Sequence, residues 1–466
     1  MVWNSQDAAA PARDDVLAVD PKWAWAEYQP DADRPWGLTW AGHLYRRAAW
    51  GANWTQLQEA VAAGPRATID QLARPSEKSL TEEAAMDQDE DAVARASGIE
   101  ALRAWWLRRM ILSPFPLREK LTLFWHSHLG VSHARVNDSQ LMMRHVRMLR
   151  THALGSYRAL LDGAAEDPAV YLALGADANR KAFPNERFSR QLMDRFSLGP
   201  GHYGDEDVRE ASRAFTGWFV LRGKLRYFAH EYDTGVKRVL GEEGPWKPQD
   251  IVRIVLAQPT APRLVARKLY RWMISEETEP SDELVQPLAS MLGEQYDVGQ
   301  VVETMLRSNL FFSEHALRKR VKSPVEFAIG LATTFETLVP TAVLGSSLAD
   351  LGQNLYVPPT SSGWLGGEHW INPATMLGRW NLADQLLAKS GPLSGKLDPA
   401  GLAKKHGGNQ PREQAEFFVK LLLNEEVPES LNATVQRIAE GVSSGEDATW
   451  RKWACQLVAS PDYQLC

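Results

Sequence analysis

The sequence predicts a mainly α protein, a multi-helical globular fold with a small β-hairpin insert. Three observations carry this. Apolar residues recur at helical spacing through most of the chain from Thr39 onward. Strands alternating with helices are missing, which argues against a Rossmann-type cofactor domain. One segment reads as a hairpin: Trp218-Phe219-Val220-Leu221, then Arg222-Gly223-Lys224, then Leu225-Arg226-Tyr227-Phe228.

In chain order, residues 1–38 are rich in Ala, Asp, Pro and Trp without a clear period. They predict an arm that docks through Trp23, Trp25 and Trp36. Ala41 to Gly51 predicts a short helix ending at a glycine, and 53–73 a second helix. Pro75 to about Ala92 is acidic and polar and predicts a loop. Ile99, Leu102, Trp106 and Met110 keep helical spacing, and Ser113-Pro114-Phe115-Pro116 stops that helix and starts the next. Helices follow at about 138–151, 154–163 and 166–174, with others starting at Asn185 and Asp205. Beyond the hairpin, helical patterns occupy 248–257, 262–275, 281–293, 298–307, 314–335 and 346–353. A loop rich in Pro, Gly and Trp fills 357–373, and helices cover most of 374–390 and 411–460. The expected organisation is an arm at 1–38, a helical core at 39–395 with its hairpin at about 218–240, and a C-terminal helical segment at 396–466 packed on the core.

Composition limits the function classes. With 44% hydrophobic and 24% charged residues in 466, the chain can build a large core and is neither disordered nor a disulfide scaffold. A net charge of -6 gives no electrostatic footprint for nucleic acid. Cys455 and Cys466, the two cysteines, read as free thiols. No apolar run approaches the about 20 residues that span a bilayer. The start Met1-Val2-Trp3-Asn4 has neither a basic n-region nor an apolar h-region, so the expected location is cytoplasmic, with export bound to a partner left open.

Five of the eleven histidines fall in one window: His126, His128, His133, His145 and His152. On a helix starting at Pro116, Leu117, Leu121, Phe124, Trp125 and His128 share one face. His128 is then either a core histidine bonded to the backbone or a ligand or base held in a dry site. His126 falls on the opposite face and reads as a surface residue or a supporting donor. In Asn185-Glu186-Arg187-Phe188-Ser189-Arg190, Asn185 reads as a helix cap and Glu186 pairs with Arg190 at i,i+4. The functional alternative makes Glu186 a carboxylate ligand or acid/base, oriented by Asn185. His230, Glu231, Asp233 and Lys237 follow the hairpin closely enough to line a cleft, but match no established metal spacing. In the 357–373 loop, Gly363, Gly366 and Gly367 allow tight turns, and Trp364 and Trp370 are candidates for stacking on a ligand or for packing. The signatures HExxH, CxxC and GxxxxGK[ST] are absent.

In this order the segments resemble a bacterial family catalogued as domain of unknown function 1800 (DUF1800). The matching segments are His43-Leu44-Tyr45-Arg46-Arg47-Ala48-Ala49-Trp50-Gly51, Phe124 to Leu129, Pro184 to Gly199, Ala214-Phe215-Thr216-Gly217-Trp218, and Ser362 to Asn372. The resemblance spans roughly residues 40–390. It implies a mainly helical fold and a partner in a sulfatase-like family, domain of unknown function 1501 (DUF1501), and carries no assigned reaction. Gln191 and Asp194 stand where the family has Glu, and Tyr232 where it has His, with His230 two residues upstream.

Two main expectations follow. The favoured one is a metal-dependent enzyme, hydrolytic or oxidative, with metal ligands among His126, His128 and His230 and with Glu186, Asp233, Lys237 and Asn185 in catalytic or orienting roles. Imidazoles and carboxylates suit a divalent transition metal. The other is a non-catalytic binding or assembly protein partnering the DUF1501 protein, in which the motif residues pair with backbone groups and leave no open coordination position. A third, carbohydrate binding, would need an exposed coplanar pair at Trp364 and Trp370.

Overall fold

The structure, a computed structural model, describes residues 16–74, 76–96, 98–293, 296–393, 397–441 and 447–466. The first fifteen residues of the expected arm and the expected boundary at 395–396 lie outside them. The described chain is mainly helical, and its strands pair only two by two. Strand β1 (Val16–Leu17) runs parallel to β6 (Glu279–Pro280). Strands β2 (Trp218–Leu221) and β3 (Lys224–Tyr227) form the predicted hairpin with Trp218 opposite Tyr227, and β4 (Lys237–Val239) pairs with β5 (Glu242–Gly244). The arm docks through indole N–H groups: Trp25 donates to the Leu284 carbonyl at 2.8 Å and Trp36 to that of Ala60 at 3.0 Å, whereas Trp23 is exposed. Both cysteines are free and buried.

Helix α1 (Leu38–Ala48) precedes a difference from the sequence reading. Residues 77–96 form helix α2 (Glu77–Ala96), where a loop was expected. Its buried positions among the described residues are Glu83, Glu90 and Ala94, so two of the three are carboxylates, with the exposed Asp87 between them. These carboxylates meet arginines from α3 (Ile99–Leu112), α4 (Pro116–Leu129) and α5 (Ser139–His152). Arg109 binds Glu83, Asp87 and Glu119; Arg118 binds Glu83; Arg150 binds Glu90 and Glu119; Arg147 binds Glu90 and Asp91. Such pairs help hold a helix that buries little apolar surface of its own.

Proline at the first position starts α4, which then runs through the interior, with Leu117, all residues from Glu119 to His126, His128 and Leu129 buried. His126 is therefore fully buried, not at the surface. The apolar stripe located one covered face and could not show that the opposite face is covered too. Helix α4 ends at Gly130 in the left-handed region (φ 62°), where the Ser361 backbone occupies the place a Cβ would take. Gly363 (φ 76°) lies as closely on Ser127. These two glycines seat the 357–364 loop on the end of α4.

Asp138, Ser156 and Asp167 cap α5, α6 (Tyr157–Ala165) and α7 (Pro168–Leu174). Helix α8 (Arg187–Gln191) continues into a π turn, Leu192–Ser197. Helices α9 (Asp205–Ala214) and α10 (Thr260–Met273) follow. The helix expected from residue 314 starts only at Pro324, as α11 (Pro324–Thr334), because Ser323 and Glu326 form a capping box around that proline.

Candidate functional site

Around the C-terminal half of α4 the structure places two arrangements. The first is a buried aromatic chamber. The His126 ring centroid lies 5.6 Å from that of Trp106, 5.7 Å from Trp364, 5.9 Å from Tyr356 and 6.1 Å from His145. Neither ring nitrogen of His126 has a hydrogen-bond partner, and the same holds for His145 Nε2 and the Tyr356 hydroxyl. His145 Nδ1 bonds Asp167 Oδ2 at 2.7 Å, and Asp167 also caps α7 through Oδ1. Burial, reinforced by His145, holds His126 well below its ordinary pKa, so it is neutral.

His128 belongs to a separate, saturated network. The Tyr157 hydroxyl donates to the Phe196 carbonyl at 2.6 Å, so His128 Nε2 donates to Tyr157 at 2.7 Å. His128 Nδ1 then accepts from Lys268 Nζ at 3.2 Å, and Lys268 also donates to the Arg195 carbonyl at 3.1 Å. Both carbonyls lie at the C-terminal end of the Leu192–Ser197 segment, where a helix leaves its last carbonyls without an intrahelical partner. Burial, with Arg195 adding to it, lowers the Lys268 amine to about 7. Both ring nitrogens of His128 are therefore used within the protein.

The second arrangement is a cleft of about 520 Å³ at the same end of α4. Gly130 and Ser361 lie in its wall, together with Arg135, Arg187, Arg190 and Gln191. Arg190 is neutralised by Glu186 and Asp205, each at 3.0 Å. Arg135 and Arg187 are exposed, and among the described residues they bond only carbonyls at the end of α7: Arg135 that of Ala173, Arg187 those of Leu174 and Gly175. Gln191 Nε2 approaches the Ser361 carbonyl at 3.4 Å, a donor that the family's usual Glu would not supply.

The remaining predicted residues are placed as follows. Asn185 donates to the Gly175 carbonyl at 3.1 Å and accepts from the Arg187 N–H at 3.0 Å. Asp233 pairs with Arg213 at 2.8 Å, which together with the Gly235 N–H holds its carboxyl below the ordinary range. Lys237 donates to the Asp233 and Gly235 carbonyls at 2.8 and 2.9 Å. His230 is exposed on a single turn, Ala229–Glu231, against Phe228. Trp364 and Trp370 are 9% and 8% exposed, so they are not an open stacking pair. Of the predicted residues, His126 and Trp364 share the chamber, Glu186 braces the cleft through Arg190, and Asp233 and Lys237 make their own cluster. Sequence reasoning missed His145 as the neighbour of His126, and with it Asp167, Tyr356, Arg135 and Arg187. A helical wheel over Ser139–His152 carries one signal, since His145 shares the buried face with Leu141, Met142 and Leu149.

Among the described residues no cluster of three or more His, Cys, Asp or Glu side chains is arranged to hold a metal ion, and no helix is long and apolar enough to cross a membrane. Neither a curated protein nor a solved structure matches the chain. A family model described as "Protein of unknown function (DUF1800)" matches residues 43–465. With nearly the whole chain covered, the protein belongs to the DUF1800 family.

Proposed function

We propose that the protein is a binding protein whose cleft at the end of α4 takes an anionic ligand carrying a carboxylate, phosphate or sulfate group. The observation that supports this reading is the pair Arg135 and Arg187, two exposed guanidinium groups in one cleft without a carboxylate partner among the described residues. A guanidinium presents planar, paired N–H donors that match such oxyanions. The engagement of the acid/base candidates supports it from the other side. Glu186 and Asp233 are paired with arginines, His128 is saturated, and Asn185 and Lys237 bond backbone groups.

Calorimetric titration of the full chain with sulfate, phosphate and citrate tests the reading. One of them binds at a single site, and Arg135→Ala and Arg187→Ala each weaken it by about 10- to 100-fold, as expected for loss of a charge-assisted contact worth about 1.5–3 kcal/mol. Unchanged affinity in the double variant refutes the assignment.

A further inference from the structure

The chamber around His126 contains polar groups that the cleft does not use. Two imidazoles on adjacent helices, His126 on α4 and His145 on α5, are fully buried with their centroids 6.1 Å apart. Three of their four ring nitrogens have no hydrogen-bond partner. Unsatisfied buried polar atoms are uncommon and call for a water or an ion. The fourth nitrogen, His145 Nδ1, bonds Asp167. That contact fixes the tautomer with the lone pair on Nε2, which is how metal-ligating histidines are usually oriented. Two imidazoles bound to one ion through bonds of about 2.0–2.1 Å have centroids up to about 6.4 Å apart, so the observed spacing admits a shared ion with an open angle between its bonds.

Charge and surroundings narrow the choice of ion. No third His, Cys, Asp or Glu completes a tetrahedral set among the described residues. The walls are Trp106, Tyr356 and Trp364; Asp167 places a single negative charge behind His145, while Glu119, bonded to the Trp106 indole N–H, is already paired with Arg109 and Arg150. A dication would leave a charge uncompensated in a dry site, whereas a monovalent ion is balanced by Asp167. Copper(I) is monovalent, binds imidazole and accepts two nearly opposed ligands. We infer that His126 and His145 form a buried two-histidine site for copper(I), with Asp167 as its positioning residue. This inference is independent of the anion-binding reading and shares no residue with it.

The test uses the full chain, freed of metal and titrated anaerobically with copper(I) buffered by a competing chelator. One copper(I) binds per chain, and its absorption edge shows two nitrogen ligands. His126→Phe and His145→Phe abolish binding. Asp167→Asn weakens it by about 10- to 100-fold, because an amide N–H facing Nδ1 moves the ring proton to Nε2. The amide oxygen introduced by that substitution still caps α7, so the metal-free Tm of this variant stays close to that of the parent and separates a site effect from unfolding. Absence of copper(I) binding, or binding retained by both Phe variants, overturns the inference and leaves a chamber that holds water only. Preferential uptake of zinc(II) at the same site overturns the assignment to a monovalent ion.

Discussion

Replacing Glu119 by Gln removes the one negative charge on which three donors converge. Trp106 Nε1, Arg109 Nε and Arg150 Nε reach its carboxylate at 3.0, 2.7 and 2.8 Å, and the residue is fully buried. Burial alone would raise its pKa, yet Arg150 and Arg109 hold it below the ordinary carboxylate value. Glutamine keeps the shape and cancels the charge, and its NH₂ group faces donors whichever way the amide turns. Breaking one member of a buried ion pair costs about 3–5 kcal/mol when the partner charge is left alone; Arg109 keeps Glu83 and Asp87 and Arg150 keeps Glu90, which puts this loss at the low end of that range. Against a typical total of about 5–15 kcal/mol this is a large fraction. The assay is urea unfolding followed by tryptophan fluorescence at pH 7, comparing midpoints at equal slope. Glu279→Gln is the control. It removes the partner of Arg271 from a half-exposed pair at 3.5 Å and should change stability by at most about 1 kcal/mol. Added salt should erase the small effect of the control and leave that of Glu119 intact. If Glu119→Gln costs no more than the control, the carboxylate does not organise the α2–α5 assembly.

Two further outcomes follow from the same structure. His43, His126 and His128 are fully buried and held well below their ordinary pKa, chiefly by burial. The unfolded chain therefore binds more protons below about pH 6.5, and stability falls with pH there by about 1.4 kcal/mol per unit for each; Glu119 and Glu326, held low in the fold, add losses only below about 4.5. Urea midpoints measured between pH 7.5 and 5.5 read this, and a flat profile contradicts neutral burial. Gly130→Ala should cost at least about 1–2 kcal/mol from its left-handed backbone alone and loosen the Ser361 wall, lowering anion affinity as well as Tm. Gly441→Ala, with open space around it, should do neither.

The parts of the fold legible in the sequence are those whose signals are local. Helix α4 announced itself through Pro116 and its apolar stripe, the hairpin through its turn at Arg222-Gly223, and the Glu186–Arg190 pair through i,i+4 spacing. Helix α2 was missed because two of its three buried positions among the described residues, Glu83 and Glu90, are carboxylates, which a search for apolar periodicity discards. His126 was placed outside because a wheel finds the most apolar face and is silent on a helix enclosed on every side. The chamber and the cleft depend on pairings far apart in sequence, such as Gly130 with Ser361 and His126 with Trp364. Spacing within one segment cannot report those. Of the five histidines clustered between 126 and 152, the rings of His126 and His145 meet, a pairing that clustering alone does not single out.

The seating of the 357–364 loop on Gly130 also orders events in time. Wall segments near residues 130, 190 and 361 must all be present before the cleft exists. During synthesis the first two leave the ribosome long before the third, and closing a connection of that length carries an entropic cost that is recovered only when the loop lands. Affinity for the anion should therefore arise late in refolding, after helix formation is complete, and a chain cut short before the loop should contain most of its helices and no receptor.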